Sequence, residues 1–191
     1  MKRRHFIENA AKAAAILGTS AAARGANFAG PAAETGNARA AAEPAREFFY
    51  RPQGAWAADF IPFYKDGRFR LFYLLDWRDK HLQGEGTPWY QISTRDFVHF
   101  EEHGEMLARG NEDEQDLYVF TGSVMEAQGR YHIFYTGHNP YLRKRGKPEQ
   151  GIMHAVSDDL LSWKKIPEET FFAPPDRYEP HDWRDPFVFW N

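Results

Sequence analysis

From Glu47 onward the apolar residues fall in short alternating runs bounded by Gly, Pro and Asp, the period-two signature of β-strands. No run of ten or more residues carries a helical period. Two of these runs align with each other: Gly67-Arg-Phe-x-Leu-Phe-Tyr73 matches Gly129-Arg-Tyr-x-Ile-Phe-Tyr135 at an offset of 62 residues. A second pair, Ser93-Thr-Arg-Asp96-Phe-Val-His-Phe100 and Val156-Ser-Asp-Asp159-Leu-Leu-Ser-Trp163, lies 63 residues apart. A third register places Asp59, Gly122 and Asp185 at equivalent starting points. The repeating unit reads as four strands, expected over residues 59–65, 68–75, 89–93 and 97–101. Four strands per internal repeat is the mark of β-propeller blades, whose faces are buried against neighbouring blades. Residues 47–191 hold about 2.3 such units, so they do not close a ring by themselves. A β-sandwich of eight to ten strands is the competing all-β architecture.

The first 46 residues have a different character. They contain 17 alanines and only two aromatics, Phe6 and Phe28. Met1-Lys2-Arg3-Arg4-His5-Phe6-Ile7 leads into a weakly apolar run from Ala10 to Leu17 and then Ala21-Ala22-Ala23. A charged start, a short apolar stretch and a small-residue cleavage site make an export signal. The Arg3-Arg4-x-Phe6-Ile7 order resembles the bacterial twin-arginine type. An Ala-rich amphipathic surface helix is the plainer reading of the same residues. The apolar run is shorter than the ~20 residues a spanning helix needs. The expected organisation is therefore a signal over 1–23, an Ala/Gly-rich linker over 24–46 and the functional β-domain over 47–191. The mature protein is expected in the periplasm or outside the cell, with no membrane contact after signal cleavage.

Charge sharpens this division. The formal net charge of −3 combines +4 in residues 1–46 with −7 in residues 47–191. An acidic domain lacks the basic surface that tracks phosphates, which argues against a nucleic-acid partner. The absence of cysteine excludes disulfides, thiolate metal sites and a Cys nucleophile. What remains is carboxylate and histidine chemistry among 29 aromatic residues in the β-domain.

Asp59 and Asp185 stand at two repeat starts. In a propeller the first strand of each blade lines the central channel, so these two carboxylates are expected to converge. Paired carboxylates in an aromatic pocket are the chemistry of glycoside cleavage. An Asp before a strand also serves as ordinary turn chemistry. Six histidines (His99, His103, His132, His138, His154 and His181) show no clustered metal motif, and no metal or cofactor is expected. The acidic loop Asn111-Glu112-Asp113-Glu114-Gln115-Asp116 and the basic loop Arg143-Lys144-Arg145-Gly146-Lys147 both read as solvated turns.

The residues around these aspartates resemble a known family. Trp56-Ala57-Ala58-Asp59, Phe120-Thr121-Gly122-Ser123, Phe134-Tyr135-Thr136-Gly137 and Trp183-Arg184-Asp185-Pro186-Phe187 are similar, in order and spacing, to motifs of glycoside hydrolase family 32, the invertases and other β-fructosidases. The resemblance covers residues 50–191. It implies a five-bladed propeller, a nucleophile at Asp59, and a transition-state-stabilising carboxylate at Asp185 oriented by Arg184. It also implies that Trp56, Phe120 and Ser123 shape a fructose pocket, and that the partner is a fructoside of the sucrose, inulin or levan type. The family's Met-Asn before the Asp and Pro-Asn-Gly after it are replaced here by Ala57-Ala58 and Phe60-Ile61-Pro62, and Leu74 stands where the family commonly has Gln. The family's acid/base Glu, which follows the Arg-Asp-Pro block, has no match upstream of it, so the chain is expected to stop short of that residue. Arabinan- and xylan-cleaving propeller enzymes, or a non-catalytic sugar-binding propeller, are the alternatives.

Overall fold

The computed structural model describes residues 50–191; the expected signal and linker segments, 1–23 and 24–46, lie outside the described residues. The described chain is all-β, built as two consecutive four-stranded antiparallel meanders. The first contains β1 (Trp56–Lys65), β2 (Arg68–Asp76), β3 (Trp89–Thr94) and β4 (Phe100–Leu107). The second contains β5 (Tyr118–Ala127), β6 (Arg130–His138), β7 (Gln150–Ser157) and the two-residue β8 (Lys164–Lys165). Single helical turns, α1 (Lys80–Gln83) and α2 (Pro140–Arg143), occupy the equivalent β2–β3 and β6–β7 loops. Each meander is one propeller blade.

The first hairpin of each blade closes for the same local reason. Asp66-Gly67 and Gln128-Gly129 all have positive φ (50°, 75°, 51° and 74°), the twist that two-residue hairpin turns need. The third turn of each blade is also duplicated. The Thr94 hydroxyl accepts from Asp96 N and Phe97 N, and the Asp96 carboxylate accepts from Val98 N and His99 N. The Ser157 hydroxyl accepts from Asp159 N and Leu160 N, and the Asp159 carboxylate from Leu161 N and Ser162 N. Residues 94–99 are thereby committed to a side-chain-capped turn. For that reason the fourth strand begins at Phe100 and not at the expected position 97.

The blades pack face to face. Phe72, Leu74, Trp89 and Leu107 of the first blade share one buried cluster with Val119, Ile133, Tyr135, Met153 and Ala155 of the second. The opposite face of the first blade buries Leu71, Tyr73, Leu75 and Ile92. With both faces covered, the apolar run Leu71–Leu75 replaces the alternation expected of a half-exposed strand. Across the interface Gln91 Nε2 donates to the Leu160 carbonyl at 2.9 Å, whereas the buried Trp89 Nε1 has no partner among the described residues. Asp116 is buried, accepting from the Tyr135 hydroxyl and pairing with Lys165 on β8. The acidic loop thus ends in a buried anchor, unlike the fully solvated turn expected from its composition. The basic loop 143–147 is exposed as expected.

Residues 185–189, expected to open a third blade, form no strand. Their backbone is held by side chains instead: Asp185 N donates to Thr136 Oγ1 at 2.8 Å and Val188 N to Ser123 Oγ at 3.0 Å.

Candidate active site

The first strands of the two blades carry a bulge at the same place. In β1 the pairing with β2 shifts between Ala58 and Ile61, and in β5 the pairing with β6 shifts between Phe120 and Gly122. At the first bulge Asp59 adopts φ 48°. Asp is one of the few residues that tolerates this left-handed conformation. The bulge turns the carboxylate out of the pleat toward β5, where the Thr121 hydroxyl donates to Asp59 Oδ2 at 2.6 Å. The repeat-equivalent of Asp59 in the second blade is therefore Thr121, at offset 62, and not Gly122 as the 63-residue register implied. Gly122 has a separate duty: a Cβ there would lie 2.1 Å from the Phe134 carbonyl oxygen.

Asp185 repeats the backbone state of Asp59, with φ 59°. It lies with Asp59 in a single cleft of about 190 Å³ that is also lined by Leu74, Phe120, Thr121 and Arg184. That volume is below the roughly 300–1,000 Å³ of drug-sized ligand sites and suits one small polar ring. Partial burial pushes the Asp185 carboxyl above the usual range, Arg184 opposes the rise, and the Asp59 charge adds to it. The two carboxylates therefore sense each other across the cleft. Two carboxylates facing one cleft are the groups that glycoside cleavage draws on.

Of the six residues singled out in the sequence, Asp59, Asp185, Phe120 and Arg184 meet in the cleft. The expected hydrogen-bonded orientation of Asp185 by Arg184 is not what the structure shows. Arg184 Nη1 binds Asp182 Oδ1 at 2.6 Å, and its Nε stands 3.9 Å from Asp185 Oδ2. Asp185 is instead placed through its own backbone N–H on Thr136. Ser123 is buried beneath Val188 and does not line the cleft; its hydroxyl positions the segment that carries Asp185. Trp56, half exposed at the start of β1, lies outside the cleft lining, with the Arg78 guanidinium 4.7 Å and the Arg51 guanidinium 5.6 Å from its ring centroid. Thr121 was missed as a site residue, although its 62-residue offset from Asp59 is readable. Among the described residues no group of three or more His, Asp or Glu side chains is arranged to hold a metal ion.

The two four-stranded meanders, with the cleft at their first strands, define part of a β-propeller. Residues 49–191 match the glycosyl hydrolases family 32 N-terminal domain, and the chain belongs to that family. Among solved structures, it resembles fructan 1-exohydrolase IIa from Cichorium intybus at 19% identity and TM-score 0.53, covering 69% of this chain and 24% of that one. It also resembles a family 117 glycoside hydrolase produced by the marine bacterium Zobellia galactanivorans, at 19% identity and TM-score 0.51, covering 65% of this chain and 38% of that one. These likenesses establish the shared propeller fold. The chain spans about a quarter of the length of the fructan exohydrolase. No curated protein sequence matches it significantly.

Proposed function

We propose that this chain carries the nucleophile half of a β-fructoside-hydrolysing site. The observation behind the reading is the convergence of Asp59 and Asp185, from opposite ends of the described sequence, on one cleft in a family 32 domain. Asp59 Oδ1 attacks the anomeric carbon, and the bond to the leaving oxygen breaks as that oxygen takes a proton from a general acid. Water then hydrolyses the fructosyl ester, with the same acid group, now a base, accepting its proton. Thr121 holds Asp59 Oδ2, leaving the other oxygen to attack. Asp185 accepts from sugar hydroxyls and places negative charge beside the oxocarbenium-like transition state, while Phe120 offers an apolar face to the ring. Among the described residues no glutamate lines the cleft. The family match favours fructosides over arabinans and xylans. Residues 1–23, read as an export signal, make this a periplasmic or secreted activity.

The test is turnover of sucrose, inulin and levan by the full-length protein and by Asp59→Asn. Hydrolysis of at least one by the parent, reduced about a thousandfold or more in the variant, is expected. Equal turnover by Asp59→Asn would remove Asp59 as the nucleophile. Sugar binding without turnover by the parent would favour the non-catalytic propeller.

A further inference from the structure

We infer that His138 is a positioning residue for the sugar-binding wall of the cleft, holding the Phe120 ring in place without touching the reacting atoms. The inference rests on the fructoside reading of the cleft. His138 is the last residue of β6, and its imidazole lies face to face with Phe120, with ring centroids 4.6 Å apart and planes 13° from parallel. Tyr118, its register partner on β5, packs against both rings, 5.6 Å from His138 and 5.8 Å from Phe120. Tyr118 is itself fixed. Its hydroxyl donates to Glu85 from the β2–β3 loop of the other blade, and that carboxylate also accepts from Tyr141. Lys80 lies over the Tyr118 ring at 5.8 Å. Phe120 is thus the inner end of a ladder of rings anchored across both blades, and it is the one member that lines the cleft.

The state of His138 suits this duty. Burial holds its imidazole below the ordinary histidine range; the nearby Glu149 charge opposes the shift and Arg184 adds to it. A neutral ring stacks on Phe120 without bringing a second cation up to Arg184. Nε2 stands 3.8 Å from Glu149, too far for a hydrogen bond, and Nδ1 is buried with no partner among the described residues. No strong polar contact therefore accounts for the placement of this ring, whereas its aromatic contacts do. An aromatic pair of this kind contributes beyond its buried area, and here that contribution keeps a wall of the cleft preorganised.

The experiment compares the full-length parent with His138→Ala, His138→Gln and His138→Phe on the fructoside that the parent hydrolyses, alongside crystal structures of the variants. Expected are a KM raised about tenfold in His138→Ala and His138→Gln with kcat within about twofold, a Phe120 ring displaced from the cleft wall, and return of KM to within about twofold of the parent in His138→Phe. An unchanged KM in the ring-less variants, or no rescue by His138→Phe, overturns the inference. His138→Gln serves if His138→Ala does not fold. If the parent hydrolyses no fructoside, the hydrolase reading fails by itself, and the crystal structures then decide on His138: Phe120 displaced in His138→Gln supports the positioning role, and Phe120 unmoved overturns it.

Discussion

Asp96 and Asp159 show how much a single side chain settles. Each carboxylate accepts two backbone N–H bonds across its turn, and this pulls Asp159 down from 3.8 to about 2. A carboxylate with a depressed folded-state pKa stabilises the fold above its unfolded pKa and loses that contribution as pH falls through the folded value. Asp159→Ala is therefore expected to lower unfolding stability by about 1–2 kcal/mol at neutral pH. In urea melts at several pH values, that difference should hold above pH 5 and shrink as pH drops from 3.8 through about 2. A difference that stays constant down to pH 2 would mean that the carboxylate charge does not hold the turn. The sequence shows this pair directly, because the 63-residue repeat superimposes Thr94 on Ser157 and Asp96 on Asp159. It does not show that Asp59 belongs to another kind of position, a bulge, since bulges depend on pairing with a second strand.

At the scale of the element, the bulged first strands are the feature that makes a site. The extra residue in β1 turns Asp59 out of the pleat, and its counterpart in β5 supplies Thr121. Gly122, next to that bulge, cannot carry a side chain because the β6 backbone is in the way. Gly122→Ala should cost about 3 kcal/mol or more by forcing β5 from β6. Gly129, in the hairpin turn, has φ +74° and open space around its Cβ position. Gly129→Ala meets only the backbone penalty, about 1–2 kcal/mol. Denaturant midpoints of the two variants provide the comparison; equal losses would show that the overlap at Gly122 is relieved by a small shift. Composition does not separate these glycines, since the difference lies in what approaches each from another strand.

Across the whole molecule, the blades share their core. Trp89 is fully buried and packs on Phe72 of its own blade and Tyr135 of the next, with ring centroids 6.1 and 6.2 Å away. Trp89→Ala should cost about 3–5 kcal/mol, a large part of the stability of a domain this size. The loss should register equally in both blades. Amide hydrogen exchange is expected to show protection falling together in β2 and β6; protection lost from the first blade alone would show that the blades open separately.

The sequence by itself determined the all-β class, the internal repeat, and Asp59 and Asp185 as the residues to watch. These are encoded locally, in alternation, turn chemistry and self-similarity, and are legible without knowing what lies across the chain. Only the tertiary structure decided that Thr121 holds Asp59, that Ser123 positions the Asp185 segment from beneath, that Trp56 lies outside the cleft lining and that His138 backs Phe120. Each of those outcomes depends on a neighbouring strand or blade arriving within hydrogen-bonding or stacking distance. Residues 49 or more positions apart, such as Thr136 and Asp185, become partners only when the sheets have twisted and packed.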